Sequence, residues 1–253
     1  MKNTLYVLMM LLLMVSVAWG QTVGAEETDP VRIMSAVQDR DEGDRSKSVM
    51  VMEVVDDKGR RRSRSITAWM KRFEQGRKQL MIFNAPADVA GTGLLSIDYD
   101  EGAREDDQWL YLPSLKKSTR ISSGEKSGSF MGTDLTYADM TTSDPDDFKY
   151  TLLKADTKVG DEACWLIEAR PKEKRVQNET GYQKSKIWVS KSKLMPIQVK
   201  AWVIEGRKLK YIRFDEIRQV EGVWISHKLS ARTVRNKKVQ STTVLNFSQF
   251  ELN

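Results

Sequence analysis

The residues best suited to acid–base chemistry lie in the acidic stretch DYDEGAREDD, residues 98–107. Two carboxyl groups held close together can serve as a general acid and a general base. The stretch, however, joins two runs with strand character, where charged residues usually form the solvated tip of a hairpin. We therefore predict a solvent-exposed turn. A lipid-modifying hydrolase that uses these carboxylates is the alternative of another class.

His227 and Cys164 are the single histidine and the single cysteine of the chain. One histidine supplies too little for a histidine-based metal cluster or a Ser–His–Asp arrangement. The glycine-rich run SSGEKSGSFMG lacks the spacing of a phosphate-binding loop. Cys164 lies in the apolar run ACWLIEA, which favours a small buried side chain. We expect no catalytic residue, no metal site and no cofactor, and hence a protein that is not an enzyme.

The chain begins with the features of a secretory signal peptide. Lys2 precedes the apolar run LYVLMMLLLMVSVAWG, which carries small residues at Ala18 and Gly20. This run is shorter than the ~20 apolar residues that a membrane-spanning helix needs. We predict a signal peptide over residues 1–20, with Ala25 as the alternative end, and a soluble exported protein. Because Lys2 is the one charged residue removed, the formal net charge falls from +6 to +5.

A basic run, KGRRRSRS, spans residues 58–65. Such a run can form a nucleic-acid patch. An exported protein meets little nucleic acid, and this run continues directly into the strand-like ITAWMKRF, so we predict a solvated strand edge instead. Arg62 and Arg64 are candidates for contact with an anionic lipid headgroup.

The elements that must position these residues begin with one helix, in DPVRIMSAVQDRDEG. Asp29 can cap this helix and Pro30 suits its first turn, while Gly43 is expected to end it. Apolar residues recur on one face at Val31, Met34 and Val37.

The rest of the chain has the pattern of β-strands. Two β-rich runs flank the turn DDKG, which predicts a hairpin, and further short runs follow, divided by turn residues. Roughly a dozen strands with tight turns favour a mainly β fold, an antiparallel sheet curled into an incomplete barrel. No second domain is indicated, so residues 27–253 are expected to form a single domain.

Large apolar side chains are more numerous than one face of a sheet needs. They fit either a filled core or a deformable cavity for a flexible apolar ligand, and the sequence does not separate the two. The cavity candidates are Met50, Met52, Met70, Met81, Trp109, Trp188 and Trp202.

Three central stretches resemble, in order, the outer-membrane lipoprotein-sorting (LolA-like) family: NAPADVAGTGLLSIDYD, QWLYLPSLKKSTRIS and GSFMGTDLTYADM. Later pieces such as CWLIEARP and IWVSKSKLMPIQVKAW fit the family's second half. The resemblance implies an incomplete antiparallel barrel with helices across its open side and an apolar cavity for acyl chains. It also implies the periplasm of a double-membraned bacterium and an association with lipid or lipoprotein traffic, often beside resistance–nodulation–division (RND) exporters.

The stretch SGSFMGTDLTYADM, residues 127–140, is unusual in a strand-rich chain. Gly128 and Gly132 permit movement, Thr133 and Asp134 are candidate helix starters, and SDPDDF follows as a second helical turn capped by Ser143 or Asp144. We predict short lid helices, with a permanently packed plug as the alternative. The lid side chains are Phe130, Met131, Leu135, Tyr137 and Met140.

Together these features predict a periplasmic carrier that binds the acyl chains of a lipid or lipoprotein without forming a covalent bond. A periplasmic sensor of lipid or lipoprotein on the same fold is the alternative. We expect a monomer whose partners are an acylated ligand and a membrane-associated protein, for which an RND exporter is one candidate, and no nucleic acid.

Overall fold

The structure, a computed structural model, describes residues 23–100 and 104–252. The predicted signal peptide and its preferred cleavage site after Gly20 lie outside these residues. The described helices are α1 (Pro30–Gln38) and α2 (Lys174–Thr180). The described strands are β1 (Arg45–Asp56), β2 (Arg61–Phe73), β3 (Gly76–Ala85), β4 (Gly93–Tyr99), β5 (Asp107–Leu112), β6 (Lys117–Arg120), β7 (Phe148–Val159), β8 (Glu162–Pro171), β9 (Tyr182–Ser190), β10 (Pro196–Val203), β11 (Lys208–Val220), β12 (Val223–Arg235) and β13 (Lys238–Leu252).

All of these strands form one antiparallel sheet. Its order is β6-β5-β4-β3-β2-β1-β13-β12-β11-β10-β9-β8-β7, so neighbours in space are neighbours in sequence except where β1 pairs with β13. Strands β6 and β7 are its two edges, and the sheet is therefore open. The predicted incomplete antiparallel barrel is confirmed.

Alternation along the strands separates an interior face from an outer face. On β1 the side chains of Met50, Met52 and Val54 are buried, whereas Val51 between them is exposed. This is the period of two that a half-buried strand requires. The predicted DDKG hairpin is confirmed, because Asp56 accepts hydrogen bonds from the backbone N–H groups of Lys58 and Arg60 and closes the turn between β1 and β2.

Helix α1 packs on the interior face of β8 and β9. Asp29 caps it as predicted, accepting a hydrogen bond from Val31 N at 2.9 Å. Two predicted details were wrong. The helix ends at Gln38 rather than near Gly43, and its buried residues are Ile33 and Val37, while Val31 is half exposed. Ile33 and Val37 contact Trp165, Ile167 and Val189, and these contacts decide which face of α1 is buried.

Helix α2 was not predicted. Its sequence, KRVQNET, contains one buried apolar residue, Val176, so no helical periodicity was visible. The helix ends at Gly181, whose left-handed φ of 76° suits glycine. A Cβ at this position would lie 3.0 Å from the Ser127 Cβ, so the end of α2 closely approaches the chain that follows β6.

Residues 121–147, called here the crossing segment, connect β6 to β7, the opposite edges of the sheet. They contain four short 3-10 turns, Ser123–Glu125, Phe130–Gly132, Ala138–Met140 and Pro145–Asp147. The last turn has Asp144 as its cap, one of the two predicted. Thr133 and Asp134 start no helix: Thr133 Oγ1 donates to Phe130 O, and Asp134 accepts from Thr243 Oγ1. Among the described residues, no helix is both long and apolar enough to cross a membrane.

Candidate functional site

The crossing segment fills the interior face of the sheet with apolar side chains. Phe130 is 1% exposed and Leu135 is 2% exposed, and both belong to one cluster with buried residues of β1 to β4 and β11 to β13. The Phe130 ring lies between two others, with centroids 6.0 Å from Phe83 and 5.6 Å from Tyr137. The remaining predicted lid residues, Met131, Tyr137 and Met140, are partly buried against the same cluster.

The predicted cavity residues divide between the two faces. Met50, Met52 and Met81 lie inside the cluster that holds Phe130, and Met70 is half-buried on the same face of β2 as Ala68. The structure does not bring the tryptophans to this interior. Trp109 is 39% exposed and alternates with buried Gln108. Trp188 and Trp202 lie on the outer face, because they alternate with Val189 and Ala201, which are buried.

Arg62 and Arg64 hold one turn of the crossing segment through its carbonyl groups. Arg64 Nη1 donates to Met131 O at 2.6 Å, and Arg62 Nη2 donates to Gly132 O at 3.2 Å. Met131 and Gly132 both have left-handed backbone conformations, with φ of 49° and 72°. Burial lowers the pKa of the Arg64 guanidinium, as does the charge of Arg62. The two predicted headgroup ligands therefore bind the crossing segment, Arg62 from an exposed position and Arg64 from a partly buried one.

Asp134 anchors the middle of the crossing segment to β13. Its side chain is buried and accepts hydrogen bonds from Ser241 Oγ and, at 2.8 Å, from Thr243 Oγ1. Its backbone N–H donates to Thr243 Oγ1 at 2.9 Å. A buried carboxylate is stable only when it is hydrogen-bonded, so these contacts fix the position of the segment.

A buried triad joins the segment to β9 and β11. Lys210 Nζ lies 2.6 Å from Tyr182 OH and 3.0 Å from Asp139 Oδ2, and Tyr182 OH donates to Asp139 at 2.8 Å. Burial raises the pKa of Tyr182 well above its ordinary value, and the Asp139 charge adds to this effect. Tyr182 therefore stays protonated and acts as a donor to the carboxylate.

Lys126 fastens the beginning of the segment to α2. This lysine is 1% exposed, and its ammonium group forms an ion pair with Glu179. We refer to the four sets of polar interactions, made by Arg62 and Arg64, by Asp134, by Asp139 and by Lys126, as the holding contacts. They attach the segment to β2, β9, β11, β13 and α2, while its apolar side chains pack in the cluster that holds Phe130.

The acidic stretch predicted to be a turn is partly engaged in ion pairs. Arg77 Nε lies 3.0 Å from Asp98 Oδ2, and Arg120 Nε lies 2.7 Å from Asp107 Oδ1. Burial raises the pKa of Asp106 to about 6, with a contribution from Asp98. The described part of this stretch borders an acidic cleft of about 960 Å³, and the described residues that line it include twelve acidic and five basic side chains.

The other candidate groups for chemistry have ordinary packing roles. His227 packs edge-on against Phe250, with ring centroids 5.1 Å apart. Cys164 is buried, as predicted, and burial raises the pKa of its thiol to about 11, so the thiolate is not populated at neutral pH. Within residues 23–100 and 104–252, no group of three or more histidine, cysteine, aspartate or glutamate side chains could hold a metal ion.

Sequence reasoning missed most of the residues that make the holding contacts. Lys210 was detectable in principle, because the spacing of two along β11 places it on the same face as Ile212, which is buried, and Phe214, which is partly buried. A lysine on the interior face of a strand requires a buried partner. Asp134 and Asp139 carry no such signal, because their segment has no regular period.

Comparisons with known proteins place this geometry in context. A family model described as "-like: Uncharacterized protein" matches residues 75–253. A domain from Vibrio parahaemolyticus, whose name describes a candidate outer membrane lipoprotein-sorting protein, is 31% identical with a TM-score of 0.78, over 90% of this chain and 93% of that one. A DUF1329 family protein from Desulfovibrio piger is 29% identical with a TM-score of 0.78, over 89% of this chain and 94% of that one.

The fold alone is shared with a LolA superfamily protein from Nitrosomonas europaea. That protein is 18% identical, with a TM-score of 0.64, over 90% of this chain and 94% of its own. No curated protein matches the chain.

Proposed function

Since the chain belongs to the outer-membrane lipoprotein-sorting (LolA-like) family, we propose that it is a periplasmic carrier for acyl chains. The ligand is a lipid or a lipoprotein, held without a covalent bond, and it is passed between membranes or to and from an exporter. The export signal over residues 1–20, with Ala25 as the alternative end, and the single domain over residues 27–253 are parts of this proposal.

The observation that carries the proposal is the way in which the crossing segment occupies the interior face. Its apolar residues cover the methionine-rich patch formed by Met50, Met52 and Met81. Its attachments to the sheet and to α2 are polar. A segment built in this way can leave as a unit, because the contacts that hold it can be exchanged for water when it opens.

Two burial free energies are of the same order: the one that the crossing segment loses when it opens and the one that an acyl chain gains when it binds. Phe130 and Leu135 each contribute about 1.5–3 kcal/mol by burial, and Met131, Tyr137 and Met140 add smaller amounts. An acyl chain of about sixteen carbons gains roughly 12 kcal/mol when it leaves water. The ligand can therefore displace the segment, and the returning segment helps to release the ligand to a membrane or to a partner protein.

The first test is direct. The protein is purified from the periplasm without detergent, extracted with organic solvent and analysed by mass spectrometry. We expect an intact lipid or an acylated peptide in the extract, together with saturable binding of a fluorescent fatty acid in solution. A wild-type protein that contains no lipid and binds no fatty acid contradicts the proposal, and turnover products favour the hydrolase instead.

A further inference from the structure

The outer face of β9 to β12 carries a cluster of basic side chains. One row across these four strands runs through Lys186, Lys200, Tyr211 and Arg232, which are partners in the register. A second row, two residues along, runs through Lys184, Trp202, Leu209 and Val234. Arg213 follows Tyr211 by two positions on β11 and so lies on the same face. The basic face is defined here as the five cations of this group together with Trp202 and Tyr211.

The folded protein tolerates charge repulsion on this face. Lys186 and Lys200 are directly opposite each other, and like charges in that relation destabilise a sheet. Glu168 lies opposite Lys186 on β8, but it is bound by Lys184 at 2.8 Å and by Arg170 at 2.7 Å. Among the described residues, the Lys186 ammonium has no ion pair.

The two aromatic side chains of the basic face lie beneath its cations. Lys184 Nζ and Lys200 Nζ are each 4.8 Å from the centre of the Trp202 ring. The Arg232 guanidinium lies 4.9 Å from the centre of the Tyr211 ring. Tryptophan and tyrosine beside lysine and arginine are the side chains that favour the headgroup region of a membrane, since each combines an apolar body with a polar or charged group.

The basic face and the helix that borders the acidic cleft lie on different sides of the sheet. Ile187 and Val189 alternate with Lys186 and Trp188 on β9, and they pack against α1 on the interior side. The end of α1 lines the acidic cleft. The basic face therefore points away from the element that borders the cleft. An anionic surface attracts one side of the molecule and repels the other, which orients the molecule as it approaches.

We propose that the basic face docks this protein on the anionic surface of a phospholipid membrane. This inference deepens the proposed function, because it names the surface by which the carrier meets a membrane. The docking is electrostatic with aromatic anchoring, and it requires no acyl ligand in the interior. It assigns headgroup contact to residues different from Arg62 and Arg64, which hold the crossing segment.

The test is sedimentation with vesicles of phosphatidylethanolamine and phosphatidylglycerol, compared with vesicles of phosphatidylcholine alone. The variant is Lys186→Gln/Lys200→Gln. A lysine near an anionic surface contributes about fivefold in affinity (~1 kcal/mol), so the variant should bind about 30-fold more weakly. The matched control, Lys71→Gln/Lys117→Gln, removes the same charge from exposed positions on β2 and β6 and should bind as the wild type does. Trp202→Ala should weaken binding without changing its salt dependence.

Three outcomes overturn the proposal: equal loss in the variant and the control, equal binding to both vesicle types, and no vesicle binding by the wild type even at low salt. Binding to heparin or DNA without binding to vesicles also overturns it. Fatty-acid binding is measured in parallel without vesicles, where the Lys186→Gln/Lys200→Gln variant should match the wild type. Vesicle docking by a wild type that contains no lipid and binds no fatty acid therefore refutes the carrier and leaves the docking surface intact. Fatty-acid binding without vesicle docking refutes the docking surface and leaves the carrier intact.

Discussion

Buried charged side chains distinguish the crossing segment from an ordinary core loop. Lys126 and Asp134 are almost fully buried, and Asp139 pairs with buried Lys210. A buried ion pair adds little net stability compared with an apolar pair, but removing one partner is costly because the other charge stays buried. At the scale of single residues, these charges therefore specify where the segment lies.

Replacing Lys210 with Met should destabilise the protein by about 3–5 kcal/mol, because the Asp139 carboxylate loses its countercharge in a buried site. The free energy of unfolding is measured by urea titration. Adding Asp139→Asn to this variant should restore part of the loss, since the second change removes the unpaired charge. Lys208→Met, on the same strand but half exposed, is the control and should cost less than about 1 kcal/mol. A similar loss in both single variants would contradict this account.

Asp106 should make stability depend on pH in the direction opposite to that of most carboxylates. Burial raises its pKa from 3.8 to about 6, so the folded state keeps a proton that the unfolded state has already released. Between those two values, raising the pH therefore lowers the stability, and above about 6 the loss is complete.

The test of this effect is Asp106→Asn, which keeps an oxygen to accept from Tyr99 N but has no charge. The difference between the melting temperatures of the variant and of the wild type should shift in favour of the variant as the pH increases from below 4 to 7. Circular dichroism melts across this range measure the difference. Parallel curves for the two proteins would show that Asp106 titrates normally.

At the scale of elements, the sequence predicted what depends on local pattern. The alternation in β1, the DDKG hairpin and the cap at Asp29 are all encoded within a few residues, and all were confirmed. The pattern could not say which face of a strand is interior, so Trp188 and Trp202 were assigned to the cavity although they lie outside. Helix α2 was missed because tertiary contacts, including those of Val176 and Glu179, stabilise it more than its own sequence does.

The junction of α2 with the crossing segment can be tested at Gly181. Alanine there should destabilise the protein by about 1–2 kcal/mol, because an L-residue is strained in the left-handed conformation. The added Cβ would also press on Ser127, which should increase the loss. Gly160→Ala is the control, because Gly160 has a similar φ of 61° but nothing within 4 Å of an added Cβ. The excess loss at Gly181, measured by denaturant unfolding, reports the contact. Equal losses would mean that the contact contributes nothing.

At the scale of the whole molecule, the proposed function requires the closed protein to compete with its own ligand. The interior face is already covered by Phe130 and Leu135, so the proposed acyl ligand can bind only after the crossing segment has moved. The apparent dissociation constant is then the intrinsic one divided by the fraction of open molecules. Any change that weakens the holding contacts should therefore strengthen ligand binding, even though it lowers stability.

The most direct measurement is the affinity of Arg64→Gln for a fluorescent long-chain fatty acid, together with its melting temperature. Arg64 donates to Met131 O, so its loss should raise the open fraction. A shift of about 1.4 kcal/mol gives roughly tenfold tighter binding. Ile167→Val, in the separate cluster beneath α1, is the control that lowers the melting temperature without opening the segment. We expect tighter fatty-acid binding in Arg64→Gln and not in Ile167→Val. A lower melting temperature in both variants, with fatty-acid affinity unchanged in Arg64→Gln, would show that the crossing segment is a permanent part of the core.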